Sequence, residues 1–204
     1  MNTIRMMKQV LAHPYDFYHD IQEPGRLKWS QGIVLILLVY AARMLSILAT
    51  SYTFQTREPY EISYIHEFIW IVVPWLTWCI SNWGVSAIMD GEGKFKEVFI
   101  GSVFAMVPYM LFIVPIALLT NLLSFSEQSL YSSLTMLTFC WMGWLLIVKV
   151  KIIHDFELGK LIWITLISLL GMAIIWFIGI LMYGLINQLI NFVVDLIKEM
   201  KFRM

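Results

Sequence analysis

The chain contains few charged residues for its length. Only 14% of its 204 residues are Asp, Glu, Lys or Arg, whereas 60% are hydrophobic. A soluble domain would carry roughly 25% charged residues. Positive and negative charges balance to a formal net charge of zero, so no overall field attracts nucleic acid. These shortages exclude an ordinary soluble domain and argue against a nucleic-acid partner.

Residues that bind metals or carry out catalysis are also scarce. The two cysteines, Cys79 and Cys140, lie in apolar stretches and predict small packing residues rather than a disulfide. The four histidines show no metal-binding spacing to one another, to cysteine or to glutamate. No local motif indicates a Ser-His-Asp or Cys-His set. We therefore expect no catalytic residues, no metal site, no cofactor and no enzymatic activity.

Long apolar runs take the place of the missing charges. The mean hydropathy is +0.76, and five runs are long enough to cross the ~30 Å hydrocarbon core of a membrane as helices. Helix is the expected conformation because lipid offers no partner for unpaired backbone groups. The sequence therefore predicts an all-α membrane protein with a five-helix transmembrane bundle. The predicted spans are 29–50, 68–89, 98–120, 130–150 and a last span from 161 to at least 184.

The N-terminal segment, residues 1–25, is predicted to lie on the membrane surface. It lacks the apolar core and the cleavage site of a signal peptide. It does contain apolar residues at helical spacing and the aromatic stretch HPYDFYHDI, which begins at His13. This pattern favours an interfacial helix, or two short ones, before the first span.

The C-terminal segment, residues 185–204, is predicted to be an amphipathic extension of the fifth span. Polar residues recur there at every fourth position, which is typical of a helix at an interface rather than in lipid. The stripe consists of Asn187, Asn191, Asp195 and Glu199. Residues 26–184 are then the five-span transmembrane domain. A sixth span through 185–204 is the alternative, and it would return the C-terminus to the side of the N-terminus.

The basic residues predict the orientation in the membrane. With the N-terminus in the cytoplasm, nine of them face the cytoplasm and only Arg57 lies in an outer loop, as the positive-inside rule requires. The nine are Arg5, Lys8, Arg26, Lys28, Lys94, Lys96, Lys149, Lys151 and Lys160.

The polar stretch DGEGKFKE, which begins at Asp90, is a candidate recognition element between the second and third predicted spans. Its two glycines would permit a tight reversal with positive φ. Aromatic area beside oriented charge is what a binding surface needs, and the aromatic N-terminal segment lies on the same side. A simple turn with topology-determining lysines is the alternative. The residues predicted to bind a partner or lipids are Tyr15, Phe17, Tyr18, Gly91, Gly93, Lys94, Phe95 and Lys96.

Several residues interrupt the apolar spans. Arg43 lies inside the first span, where a guanidinium is costly unless it is paired or reaches the interface. Glu67 at the start of the second span is its predicted ion-pair partner. A substrate or ion site at Arg43 is the alternative. Helix kinks are predicted at three prolines, because proline removes a backbone hydrogen bond. They are Pro74, Pro108 and Pro115.

The chain resembles the Yip family, membrane proteins named for interacting with Ypt/Rab GTPases. The resemblance lies in the HPYDFYHDI opening, the pair NW before the turn, the stretch GEGKFKEVF and the proline-bearing third span GSVFAMVPY. It covers about residues 11–183 and is greatest to bacterial members, which lack a long hydrophilic N-terminal domain. Eukaryotic members have a Gly-Tyr pair where Ser102 follows Gly101 here, so Rab binding is not implied.

The resemblance implies a non-catalytic adaptor or organiser in a bacterial cell membrane, with membrane lipids and a membrane protein, such as a transporter, as partners. A homo-oligomer is a further expectation from the glycines of the fifth span. Two other functions stay open at this point. A small transporter or permease accessory subunit would use Arg43 and the kinked third span as a site. An intramembrane enzyme acting on lipid is the third, and the lack of a catalytic set weighs against it.

Overall fold

The computed structural model describes residues 3–55, 57 and 59–203. Within them, eight α-helices and three single-turn 3-10 helices form a bundle without β-strands. Five spans are long and apolar enough to cross a membrane, which confirms the prediction of an all-α, five-span membrane protein. The helices are α1 (Thr3–Ala12), α2 (Pro14–Asp20), α3 (Trp29–Ala49), α4 (Tyr64–Ile88), α5 (Phe95–Phe104), α6 (Val107–Leu119), α7 (Gln128–Ile153) and α8 (Leu158–Arg203).

The spans are α3, α4, α5 together with α6, α7 and α8, and consecutive spans run in opposite directions. The helices α1 and α2 and the connections 89–94 and 154–157 therefore lie at one end of the bundle, which we call the α1 side. The connections 50–63 and 120–127 lie at the other end, which we call the opposite side.

The two N-terminal helices pack into the end of the bundle. Val10 of α1 and both Phe17 and Tyr18 of α2 are fully buried, and α2 packs against α7. The ring centroid of Phe17 lies 4.9 Å from that of Phe104, and the Tyr18 hydroxyl donates a 3.5 Å hydrogen bond to the carbonyl of Gly101. The segment predicted to lie on the membrane surface thus contributes to the core, because its aromatic face meets α5 instead of lipid.

The third span is interrupted at residues 105–106, which separate α5 from α6. Pro108 explains the interruption because it has no N–H for the carbonyl of Phe104 and its ring crowds that carbonyl. Pro108 therefore stands in the first turn of α6, and the predicted kink at this residue is instead a break between two helices. Pro74 and Pro115 lie inside α4 and α6, where the sequence placed them.

Helix α8 runs without interruption for 46 residues, or about 69 Å, more than twice the ~30 Å hydrocarbon core. Every residue from 177 to 202 is exposed. No helix end marks the boundary predicted between 184 and 185. A sixth span through these residues would need a reversal, and α8 makes none.

Helix α8 packs chiefly against α4, where small and hydroxyl-bearing residues meet. A Cβ atom on Gly171 would overlap the hydroxyl of Ser81, which donates a 2.6 Å hydrogen bond to the carbonyl of Ser168. Asn82 Nδ2 lies 3.4 Å from Ser168 Oγ, to which it donates. Such contacts are typical of helices that associate in lipid, where apolar burial alone does not favour one neighbour over another.

Candidate functional site

The connection between α4 and α5, residues 89–94, reverses the chain on the α1 side. Asp90 makes the reversal with a φ of 59°, and neither Gly91 nor Gly93 has a positive φ. The expectation of positive φ at these glycines is therefore wrong. The N–H of Gly91 donates a 2.8 Å hydrogen bond to the carbonyl of Ser86, which ends α4 in a Schellman turn.

Gly91 and Gly93 lie so close to the turn between α7 and α8 that a larger side chain would not fit at either position. A Cβ atom on Gly91 would lie 2.7 Å from His154 Nδ1, and one on Gly93 would lie 2.6 Å from Ile153 Cγ2. The N–H of Gly93 donates to His154 Nδ1 at 3.3 Å. The ring of Phe156 stacks on that of His154 with centroids 5.4 Å apart. We call Gly91, Gly93, His154 and Phe156 the hairpin clamp.

The hairpin clamp requires neutral His154. The imidazole is 2% exposed. Burial lowers the pKa of His154 from 6.5 to about 4, and the charge of Lys149 acts in the same direction. Because Nδ1 accepts from Gly93, the ring proton resides on Nε2, which has no hydrogen-bond partner in the part of the chain that the structure describes. Protonation of Nδ1 would break the bond from Gly93 and bury a positive charge.

Besides Gly91 and Gly93 of the hairpin clamp, three more of the eight residues predicted to bind a partner hold the α1 side together. Phe17 and Tyr18 belong to the core and cannot contact a partner, so they are not part of a binding surface. Lys96 Nζ donates a 2.7 Å hydrogen bond to the carbonyl of Leu27, which ties the start of α5 to the segment before α3. The sequence shows their polarity and aromaticity but not which way they point.

Exposed members of the predicted surface lie beside the hairpin clamp. Tyr15 is 50% exposed, and Lys151 Nζ lies 5.9 Å from its ring centroid. The side chain of Lys94 is 76% exposed. Phe95 is half-buried, and its ring centroid lies 5.4 Å from that of Trp83. The α1 side thus presents an exposed aromatic ring and an exposed positive charge next to the hairpin clamp.

Glu67 forms ion pairs with two arginines on the opposite side of the bundle. Its Oε2 lies 3.0 Å from Arg43 Nε and its Oε1 lies 2.9 Å from Arg57 Nη1, and its side chain is 7% exposed. The sequence predicted the pairing of Arg43 with Glu67, because a guanidinium inside a span needs a partner and Glu67 begins the next span just across the outer loop. It missed Arg57, because the path of the loop that carries Arg57 back to α4 is not readable from local pattern. One feature of the sequence could have indicated this pairing, because Arg57 is the single basic residue of the outer loops.

A cavity of about 650 Å³ extends from these ion pairs into the bundle. Side chains from all five spans line it, and half of them are aromatic or methionine. Met106 at the break between α5 and α6 is in its wall, so the interruption of the third span helps to shape it. The arrangement can accommodate an apolar group beneath a charged entrance.

Lys149 of α7 is fully buried in the interior of the bundle. Its Nζ donates hydrogen bonds of 2.8 Å to Asn82 Oδ1 and 3.2 Å to Ser102 Oγ, and it lies 5.8 Å from the ring centroid of Trp78. No carboxylate among residues 3–55, 57 and 59–203 pairs with it. Lys149 is therefore a buried residue and not an exposed surface charge.

A sequence signal for Lys149 did exist. Lys149 and Lys151 are two positions apart, which places them about 200° from each other around a helix. They cannot both face the same surroundings. Deciding which lysine faces inward requires the positions of Asn82 and Ser102, which come from other spans.

These features define a class of protein, a five-span helical membrane bundle with a polar centre and a lined cavity. Its described residues include no group of three or more His, Cys, Asp or Glu that could hold a metal ion. The chain belongs to the Yip1 domain family, since the model of that family matches residues 8–193. This match confirms the resemblance drawn from the sequence. The comparisons with curated proteins and with solved structures found no match.

We expect the stability of the protein to fall as the pH is lowered from 6.5 towards 4. His154 has a lower pKa in the folded chain, about 4, than the 6.5 of the unfolded chain, so the unfolded state binds more protons in this window. The stabilisation is complete above pH 6.5 and is lost as the pH falls through the window. Melting temperatures in detergent across this pH range measure it.

A variant without an ionisable side chain at position 154 isolates the contribution of His154 to the pH dependence of stability. His154→Asn keeps a hydrogen-bond acceptor for Gly93 and should show a smaller pH dependence than the wild type. His66→Asn, on the opposite side of the bundle, should keep the wild-type dependence. Identical pH profiles for wild type and His154→Asn would contradict the assignment.

We expect Asn82→Leu to destabilise the protein more than Lys149→Met. The first variant leaves a buried ammonium with one acceptor fewer and costs about 3–5 kcal/mol. The second leaves only a neutral amide oxygen unpaired and costs about 1–3 kcal/mol. Thermal or denaturant unfolding in detergent measures both. The double variant should recover much of the loss caused by Asn82→Leu, and a larger cost for Lys149→Met would contradict this account.

Proposed function

We propose that this Yip1-domain protein is a non-catalytic membrane adaptor that binds a membrane-protein partner through its α1 side, which faces the cytoplasm. The observation that carries the proposal is the hairpin clamp. It fixes the α4–α5 connection against the α7–α8 turn through the close approach of Gly91 and Gly93 to His154. The exposed groups around it therefore occupy positions that are set before any partner arrives.

Preorganisation supports a binding role for this side. A surface that is already ordered loses less conformational freedom on association, so fewer contacts suffice for a given affinity. Tyr15 supplies aromatic area and Lys94 supplies charge, and both are exposed. Acidic side chains at Asp155 and Glu157 are exposed on the adjoining turn. A partner with mixed charges around an apolar centre would complement this combination.

The distribution of basic residues supports a cytoplasmic α1 side. Lys149 is buried in the bundle, and the other eight of the nine basic residues expected in the cytoplasm lie on the α1 side. Arg57 is the counterpart in the loops of the opposite side. Lys198, Lys201 and Arg203 near the end of α8 also lie on the opposite side, but the eight basic residues of the α1 side still outnumber them and Arg57, so the positive-inside rule favours a cytoplasmic α1 side.

A variant of the exposed groups tests the adaptor function. Tyr15→Ala combined with Lys94→Gln should leave the melting temperature unchanged and lower the recovery of co-purifying membrane proteins from mild detergent by about tenfold, as expected when an anchor residue is removed. Quantitative mass spectrometry of the purified samples measures the recovery.

The matched control is Lys198→Gln, whose side chain is 64% exposed near the end of α8. It should retain all partners. Unchanged recovery from the double variant would contradict the proposal. Loss of bound lipid, with protein partners retained, would assign the surface to lipid headgroups.

Cysteine labelling tests the orientation. Glu92→Cys and Phe202→Cys, each in a cysteine-free background, place a thiol at an exposed site on either side of the bundle. An impermeant maleimide should reach Glu92→Cys from the cytoplasm and Phe202→Cys from the other side, because α8 crosses the membrane once. Labelling of both thiols from one side would contradict this topology.

A further inference from the structure

The cavity inside the bundle has the shape of a slot. It is lined along α4 from Glu67 to Trp78, an interval of eleven residues or about 16 Å. Its volume of about 650 Å³ lies within the ~300–1,000 Å³ range of small-molecule sites. Between its two ends the wall is formed by apolar side chains such as Ile71, Met142 and Leu146.

The slot opens on the lateral surface of the bundle. Trp70 and Phe139 both line it, yet they are 56% and 47% exposed. Phe139 stands eleven residues after Gln128, the first residue of α7, and therefore about 16 Å from that end of the helix. This depth lies in the hydrocarbon core. Helix α8 packs mainly on α4 and little on α7, which leaves the wall incomplete between α7 and α8.

Lipid chains are the molecules that surround this opening. Water is disfavoured because the middle of the slot offers few polar partners, and a buried water needs two to four of them. An empty slot would leave its lining side chains without van der Waals contacts on one side. A flexible acyl chain satisfies the apolar wall without any polar group to desolvate.

The end of the slot at Glu67 has different chemistry. Two guanidinium groups, those of Arg43 and Arg57, line it together with one carboxylate. The carboxylate of Glu67 holds both arginines at the entrance, and the Arg57 side chain is still 56% exposed. Guanidinium forks bind phosphate oxygens in pairs, more strongly than neutral donors do. Glu67 lies in the first turn of α4, where lipid headgroups meet the hydrocarbon core.

We propose that the slot binds a phospholipid from the membrane leaflet opposite the α1 side. One acyl chain occupies the space between α4 and α7, and the phosphate contacts Arg57 at the entrance. This site is distinct from the α1 side and does not rest on the proposed adaptor function. It gives the ion pairs of Glu67 a second role, which is to orient the phosphate-binding guanidinium.

The test uses the full-length protein in nanodiscs that contain phosphatidylcholine with a diazirine at the end of one acyl chain. After illumination, mass spectrometry should locate crosslinks on Met106 and Met142, which line the slot. Leu145 is fully buried but does not line it, and should show no crosslink. Ile180, 67% exposed on α8, reports ordinary contact with lipid.

Three variants separate binding of the phosphate headgroup from binding of the acyl chain. Arg57→Gln should lower the crosslinking of Met142 by about tenfold, because a charge-assisted hydrogen bond is lost, and Arg57→Lys should retain part of it. Met142→Trp fills the slot and should remove the crosslink at Met106. Crosslinking of Ile180 should be the same in all these proteins.

Any of three results would overturn the proposal. Labelling of Met106 no stronger than that of Leu145 would show that no acyl chain enters the slot. Labelling by a diazirine-bearing diacylglycerol, which has no phosphate, as strong as that by phosphatidylcholine would show that Arg57 does not bind phosphate. Unchanged labelling in Arg57→Gln would show the same. Partner recovery is measured separately, so these results leave the adaptor proposal unaffected.

Discussion

The buried ammonium of Lys149 is the interaction on which the arrangement of the spans depends. In lipid, apolar side chains gain little from packing on one helix rather than on acyl chains, so polar bonds and close fits decide which helices meet. Lys149 of α7 donates to Asn82 of α4 and to Ser102 of α5, and Asn82 donates on to Ser168 of α8. Because no carboxylate among the described residues pairs with this charge, the loss of either acceptor would be costly. Four helices are thereby held in one register.

Both candidate surfaces follow from that register. Five residues beyond Lys149, the chain reaches His154, whose position under Gly93 sets the hairpin clamp on the α1 side. In the other direction Ser102, which accepts from Lys149, also lines the slot that ends at Arg57 and Glu67. The proposed partner surface and the proposed lipid slot are therefore both connected to the hydrogen bonds of Lys149. A substitution of Lys149 should therefore alter both the hairpin clamp and the slot.

The sequence predicts those parts of the structure that depend on composition along the chain. Hydropathy predicts the five spans, and the cost of an unpaired guanidinium inside a span predicts a partner for Arg43, which the structure shows to be Glu67. The composition does not predict which side chains of a helix point into the bundle and which point outward. Tyr18 is of a residue type common at membrane interfaces, but its side chain is buried. Lys149 has the charge of a residue that sets membrane topology, but its side chain points into the bundle. Glycines raise the same difficulty, because Gly93 is needed for contact with a residue 61 positions away.

The chemical accessibility of the lysines tests the central role of Lys149 most directly. The folded protein in nanodiscs is treated with a water-soluble acetylating reagent, and modification is read by mass spectrometry. Lys94 and Lys198, with side chains 76% and 64% exposed, should react, whereas Lys149 should react only after unfolding. Modification of Lys149 at the rate of the exposed lysines would place it at the membrane surface and contradict the account.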